Sequence, residues 1–79
     1  MFVTERAADA LSIGAVAQRA GLAAKALRHY DRIGPLRPAR VDSAAYRRYS
    51  ASQVAIARRL ALLRSVGVPR DEVRQWLRR

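Results

Sequence analysis

Seventy-nine residues leave room for one small domain with a thin core and no long catalytic cleft, and no apolar run nears the roughly 20 residues that cross a bilayer. Sixteen Lys and Arg face six Asp and Glu, a formal charge of +10 that calls for an anionic partner: nucleic acid first, then an acidic membrane or an acidic protein. With no cysteine, disulfides, thiolate zinc sites and a Cys nucleophile are excluded.

Residues 1–10, MFVTERAADA, show no clear period, carry Glu5 and Asp9 and lack a signal-peptide core. A flexible tail on a cytoplasmic chain is expected. Ser12 is a good N-cap, and Ile13, Val16, Ala17 and Ala20 then recur on one helical face. Gly21 ends that helix as a C′ glycine would. Gly14 costs helix propensity, which close packing by a neighbouring element would explain.

A second helix is predicted over residues 23–33. Its apolar face is Ala26, Leu27, Tyr30 and Ile33, and Lys25, Arg28, His29 and Arg32 line another face at the same helical spacing. Asp31 falls off that basic stripe. Gly34-Pro35 stops the helix. Two short helices joined by a glycine-containing turn form a helix-turn-helix, and the second, with its basic stripe, is the natural reader of a duplex.

Residues 36–49, LRPARVDSAAYRRY, read as a short hairpin with Pro38 at an edge position. Tyr46, Arg47, Arg48 and Tyr49 alternate along the returning strand, and Arg37, Arg40, Arg47 and Arg48 give it a positive rim. Ser50 and Gln53 match a capping box that starts a third helix, with Val54, Ala57, Leu60, Ala61 and Leu63 toward the core. Gly67 fits its C′ position, and Pro69, Asp71 and Glu72 suit the first turn of a fourth helix. Val73, Trp76 and Leu77 form that helix's apolar side. The expected fold is mostly α: four helices plus a two-stranded hairpin. Fifteen of the sixteen cations are Arg, whose planar fork suits phosphates and guanine edges.

LSIGAVAQRAGLAAKALRHYDRIGPLRPAR, AYRRYS and LLRSVGVPRDEV follow one another in the chain. In that order they resemble the N-terminal DNA-binding domain of the MerR family of bacterial transcription regulators, over residues 11 to about 77. No single motif is decisive; the ordered set is specific. The resemblance implies a winged helix-turn-helix domain over residues 11–79, its second helix in the major groove and its wing on flanking phosphates. Lys25, Arg28, His29 and Tyr30 fall on the family's reader-helix positions. Tyr46 and Arg47 fall on its wing motif, and Arg40 where the chain enters the wing. Arg28 and then Lys25 are the candidates for base edges. Arg47, Arg40, His29 and Tyr30 are assigned to the DNA backbone, Tyr30 with its ring in the core. Tyr49 matches an aromatic that usually packs inside.

The chain departs from the family pattern at several positions. His29 stands where the family often has an aromatic, Ala45 replaces a frequent Gly, and Ala23 and Ala24 replace polar caps. Full regulators continue into a dimerisation helix and effector modules, and a homodimer sits on an inverted repeat at a promoter, acting on RNA polymerase indirectly. No such helix follows Leu77, so the chain is expected to be a fragment of a longer regulator or a short relative. Two other readings stay open: an excisionase-type DNA-bending protein, and a basic helical module that binds an acidic protein or membrane surface. An enzyme is not expected, since the sole His has no catalytic constellation; nor is any cofactor or metal.

Overall fold

The computed structural model of the chain describes residues 11–78. The tail expected over residues 1–10 lies outside them. Strand β1 (Leu11–Ser12) leads into α1 (Ile13–Ala20), and α2 (Ala24–Ile33) follows after a three-residue turn. Strands β2 (Arg40–Val41) and β3 (Arg47–Tyr49) form the hairpin. Helix α3 (Ala51–Ser65), a 3-10 turn (Arg70–Glu72) and the short α4 (Val73–Leu77) complete the order.

Local chemistry explains the helix ends. The Ser12 hydroxyl accepts from the Ala15 amide at 3.1 Å, capping α1. Gly21 takes a left-handed conformation there, and the Leu22 amide bonds back to the Ala17 carbonyl at 3.0 Å. Ala23 leaves α2 with no side-chain cap, as its alanines imply. The capping box of α3 is complete: Ser50 Oγ accepts from the Gln53 amide, and Gln53 Oε1 accepts from the Ser50 amide. Past Ser65, the Val68 amide bonds to the Leu63 carbonyl and Gly67 to Arg64, a Schellman closure.

Three expectations are corrected. The sheet has three antiparallel strands in the order β1-β3-β2, because Leu11 pairs with Tyr49 and Ser12 with Arg48. Two residues are too few to show strand alternation in a sequence. The fourth helix is a 3-10 turn holding Asp71 and Glu72, followed by five helical residues. Gly14 packs against no neighbouring element: it is exposed, and a Cβ there would meet only Ser12 Oγ at 3.9 Å.

The core gathers Val16 of α1, Leu27 and Tyr30 of α2, Leu36, Tyr49 of β3, Val54, Ala57 and Leu60 of α3, and Val73 of α4. Helix α1 lies mainly on α3 and also touches α2. This buries one face of α2 and leaves the other outside.

The hairpin is built around one carboxylate. Asp42 Oδ1 accepts from the amides of Ala44 and Tyr46 at 2.9 and 3.0 Å, and Oδ2 accepts from Arg48 Nε at 3.0 Å. The Tyr46 amide, foremost, holds the Asp42 carboxyl below its ordinary 3.8, with Arg48 adding to it. Its stabilisation of the wing is therefore present above pH 3.8 and is lost as pH falls through the lowered value. Ala45 sits at φ 66°, a left-handed conformation that costs a non-glycine residue about 1–2 kcal/mol. Ala45→Gly is expected to raise stability by about 1 kcal/mol, less the entropy that glycine adds to the unfolded chain. Thermal unfolding checks this, and a lowered midpoint would contradict it.

Candidate nucleic-acid interface

Helix α2 carries its two predicted faces as two real surfaces. Leu27 and Tyr30 are buried and Ala26 and Ile33 half-buried, whereas Lys25, Arg28 and Arg32 are exposed. His29 lies between them, half-buried. Its Nδ1 accepts from Arg32 Nη2 at 3.1 Å, because a guanidinium has donors and no acceptor. In the neutral ring the proton therefore sits on Nε2. The His29 ring meets Tyr30 edge-on, with centroids 6.2 Å apart.

An open concavity of about 450 Å³ runs beside this stripe, lined by Ala23, Lys25, Ala26, His29, Arg32 and Arg64. Arg64 comes from the last turn of α3. Sequence reasoning missed it, since a cation near a helix C-terminus is already accounted for by the helix dipole. Four basic side chains around one hollow make a surface suited to a polyanion.

Tyr30 keeps its ring in the core, as the sequence reading has it. At 3% exposure it packs in the core, because it shares the apolar face with Leu27, and it keeps at most a hydroxyl for contact.

The wing presents Tyr46, 65% exposed, with Val41 and Arg40 also exposed. Along β3 the side chains alternate. Tyr46 precedes it on the outer side, and Arg47 and Tyr49 turn toward the body. Arg47 Nε donates to Asp31 Oδ2 at 2.8 Å, a bond that ties the wing to α2. Arg48 pairs with Asp42. The expected positive rim is thus partly neutralised at these two arginines, while Arg37 and Arg40 stay exposed. Tyr49 is fully buried, and its hydroxyl has no hydrogen-bond partner among the described residues. Burial foremost, with the charge of Asp31 behind it, pushes its phenol above its ordinary value.

Among the described residues no three His, Cys, Asp or Glu side chains group as metal ligands would. No described helix is long and apolar enough to cross a membrane.

Comparison with known proteins agrees with this geometry. Residues 11–79 match the MerR HTH family of regulatory proteins. The chain is 40% identical over 62 residues to the HTH-type transcriptional activator TipA of Streptomyces coelicolor, covering 78% of this chain and 24% of TipA. It is 39% identical over 67 residues to the HTH-type transcriptional regulator HmrR of Rhizobium leguminosarum bv. viciae, covering 85% of this chain and 51% of HmrR. The crystal structure of MtaN, the N-terminus of the Bacillus subtilis multidrug transporter activator, superposes with a TM-score of 0.74 at 28% identity. That match covers 85% of this chain and 63% of MtaN. The chain therefore spans about a quarter of TipA and about half of HmrR. Fold, stripe and relatives converge: the chain belongs to the MerR family of helix-turn-helix regulatory proteins, as its winged DNA-binding domain.

Proposed function

We propose that this domain reads duplex DNA with α2 in the major groove and the β2–β3 wing on the flanking phosphates. The observation that carries the reading is the Asp31–Arg47 bond, which sets the wing beside the basic stripe of α2. Arg28 and Lys25 are assigned to base edges. His29, Arg40, Arg47, Tyr46 and the newly found Arg64 are assigned to the backbone, where contacts set register rather than sequence.

If one domain neutralises about four to six phosphates, log K falls against log salt with a slope of roughly −4 to −5. A module of this size buries roughly 600–1,000 Å² on DNA, so useful affinity calls for two copies on one site. A homodimer on an inverted repeat at a promoter, acting indirectly on RNA polymerase, is the arrangement we assign to the whole regulator. Its place of work is then the bacterial cytoplasm, on the nucleoid.

Selection on a random duplex library tests the reading. An enriched half-site or inverted pair supports it. Salt-sensitive background alone would mean that the stripe holds phosphates without reading bases. On the selected site, Arg28→Ala is expected to relax preference at one position, costing about 1–3 kcal/mol there. Arg47→Ala is expected to weaken all sequences alike and to reduce the salt slope by about 1. Equal, uniform losses in both variants would overturn this division of roles.

A further inference from the structure

An acid on a helix that faces DNA is a liability, because it repels the phosphates its neighbours attract. Helix α2 nevertheless carries Asp31, off its basic stripe but next to Arg32 in the chain. Its carboxylate is half-buried and bonded to Arg47 Nε at 2.8 Å, from a residue sixteen positions along the chain. The pair is 24% exposed on the Asp side and 35% on the Arg side, so water screens it less than a surface pair.

We infer that Asp31 is a positioning residue that aims the Arg47 guanidinium at a phosphate; the inference rests on the DNA reading proposed above. Three observations carry it. First, β1 and the buried Tyr49 already hold the backbone of β3, so what the Asp31 bond adds is the direction of the Arg47 side chain. Second, Asp31 takes the Nε edge of Arg47, which leaves the Nη groups of the fork for another acceptor. Third, the Arg47 side chain stays 35% exposed although Tyr49, two residues further along the same face of β3, is fully buried, so part of Arg47 still reaches water. A carboxylate behind a guanidinium holds its planar fork in one orientation, and less freedom is lost when a phosphate arrives.

The test uses the 79-residue chain and its selected duplex, with affinity read by fluorescence anisotropy over a salt series. Removing an acid from this helix would tighten binding if its charge were all that mattered. Positioning predicts the opposite: Asp31→Asn weakens binding by about three- to fivefold, the size of one partly screened ion pair. In an Arg47→Ala background the same change is expected to have no effect, since Asp31 acts through Arg47. Arg47→Lys keeps the charge but loses the fork, and is expected to weaken binding as Asp31→Asn does. That variant keeps a cation beside Asp31 at a partly exposed position and carries the test if Asp31→Asn fails to fold. Tighter binding by Asp31→Asn, full affinity in Arg47→Lys, or an equal Asp31→Asn loss without Arg47 would overturn the inference. If Arg47→Ala itself leaves affinity unchanged, the wing assignment fails and the inference with it. If Arg47→Ala weakens binding and Asp31→Asn does not, the inference alone fails.

Discussion

Leu27→Ala is expected to cost about 2–5 kcal/mol, the range for emptying a buried leucine site. Leu27 is fully buried at the point where α2 meets the core. Alanine is the better helix former, so the loss is one of packing and not of propensity. A chain of 79 residues has about 4–12 kcal/mol of stability in all, so one such cavity removes a large part of it. Urea unfolding followed by circular dichroism gives the difference. A change under about 1 kcal/mol would mean that α2 is held mainly by its polar links, not by this contact. Affinity for DNA is expected to fall further than stability alone explains, because the reader helix loses the side chain that fixes its seat.

The second large effect is expected at Gly34→Ala. Gly34 closes α2 at φ 102°, where an L side chain is strained. A Cβ there would also run into the guanidinium of Arg74, which reaches across from α4 to donate to the Ile33 carbonyl. The left-handed conformation costs about 1–2 kcal/mol. Displacing Arg74 forfeits a hydrogen bond worth about 0.5–1.5 kcal/mol, so the sum is about 1.5–3.5 kcal/mol. A double-mutant cycle separates the two parts. In an Arg74→Ala background the overlap is gone, and Gly34→Ala is expected to cost only the backbone strain. Equal costs in both backgrounds would show that Arg74 moves aside freely.

These residues also show what the sequence makes legible. Ser12, Gly21, Ser50, Gln53 and Gly67 act on partners three to five positions away, so each helix end could be read from a few letters. The stripe of α2 was legible for the same reason, because helical spacing alone decides which side chains share a face. Tyr30 belongs to both readings: it shares the apolar face and falls on the family's reader pattern, and its ring is buried. What stayed hidden was set by distant partners. Strand β1 exists because Tyr49 and Arg48 come back to it. Arg64 borders the reader stripe only once α3 has packed. Asp31 reads as an off-stripe acid until the wing supplies Arg47. Trp76, assigned to an apolar side, lies 41% exposed, since the short α4 buries Val73 instead.

Ser12 is both the last residue of β1 and the cap of α1, and β1 borders β3, the middle strand of the wing. The hairpin is therefore no free-swinging arm. Tilting it would tear at β1, uncap α1 and pull on Asp31 in the same movement. On the proposed reading, such a body would meet a duplex as a jaw whose two tips are linked. If the spacing between groove and phosphates did not match, the duplex would be the softer partner, and sites whose base steps bend cheaply would be favoured even where no side chain touches them.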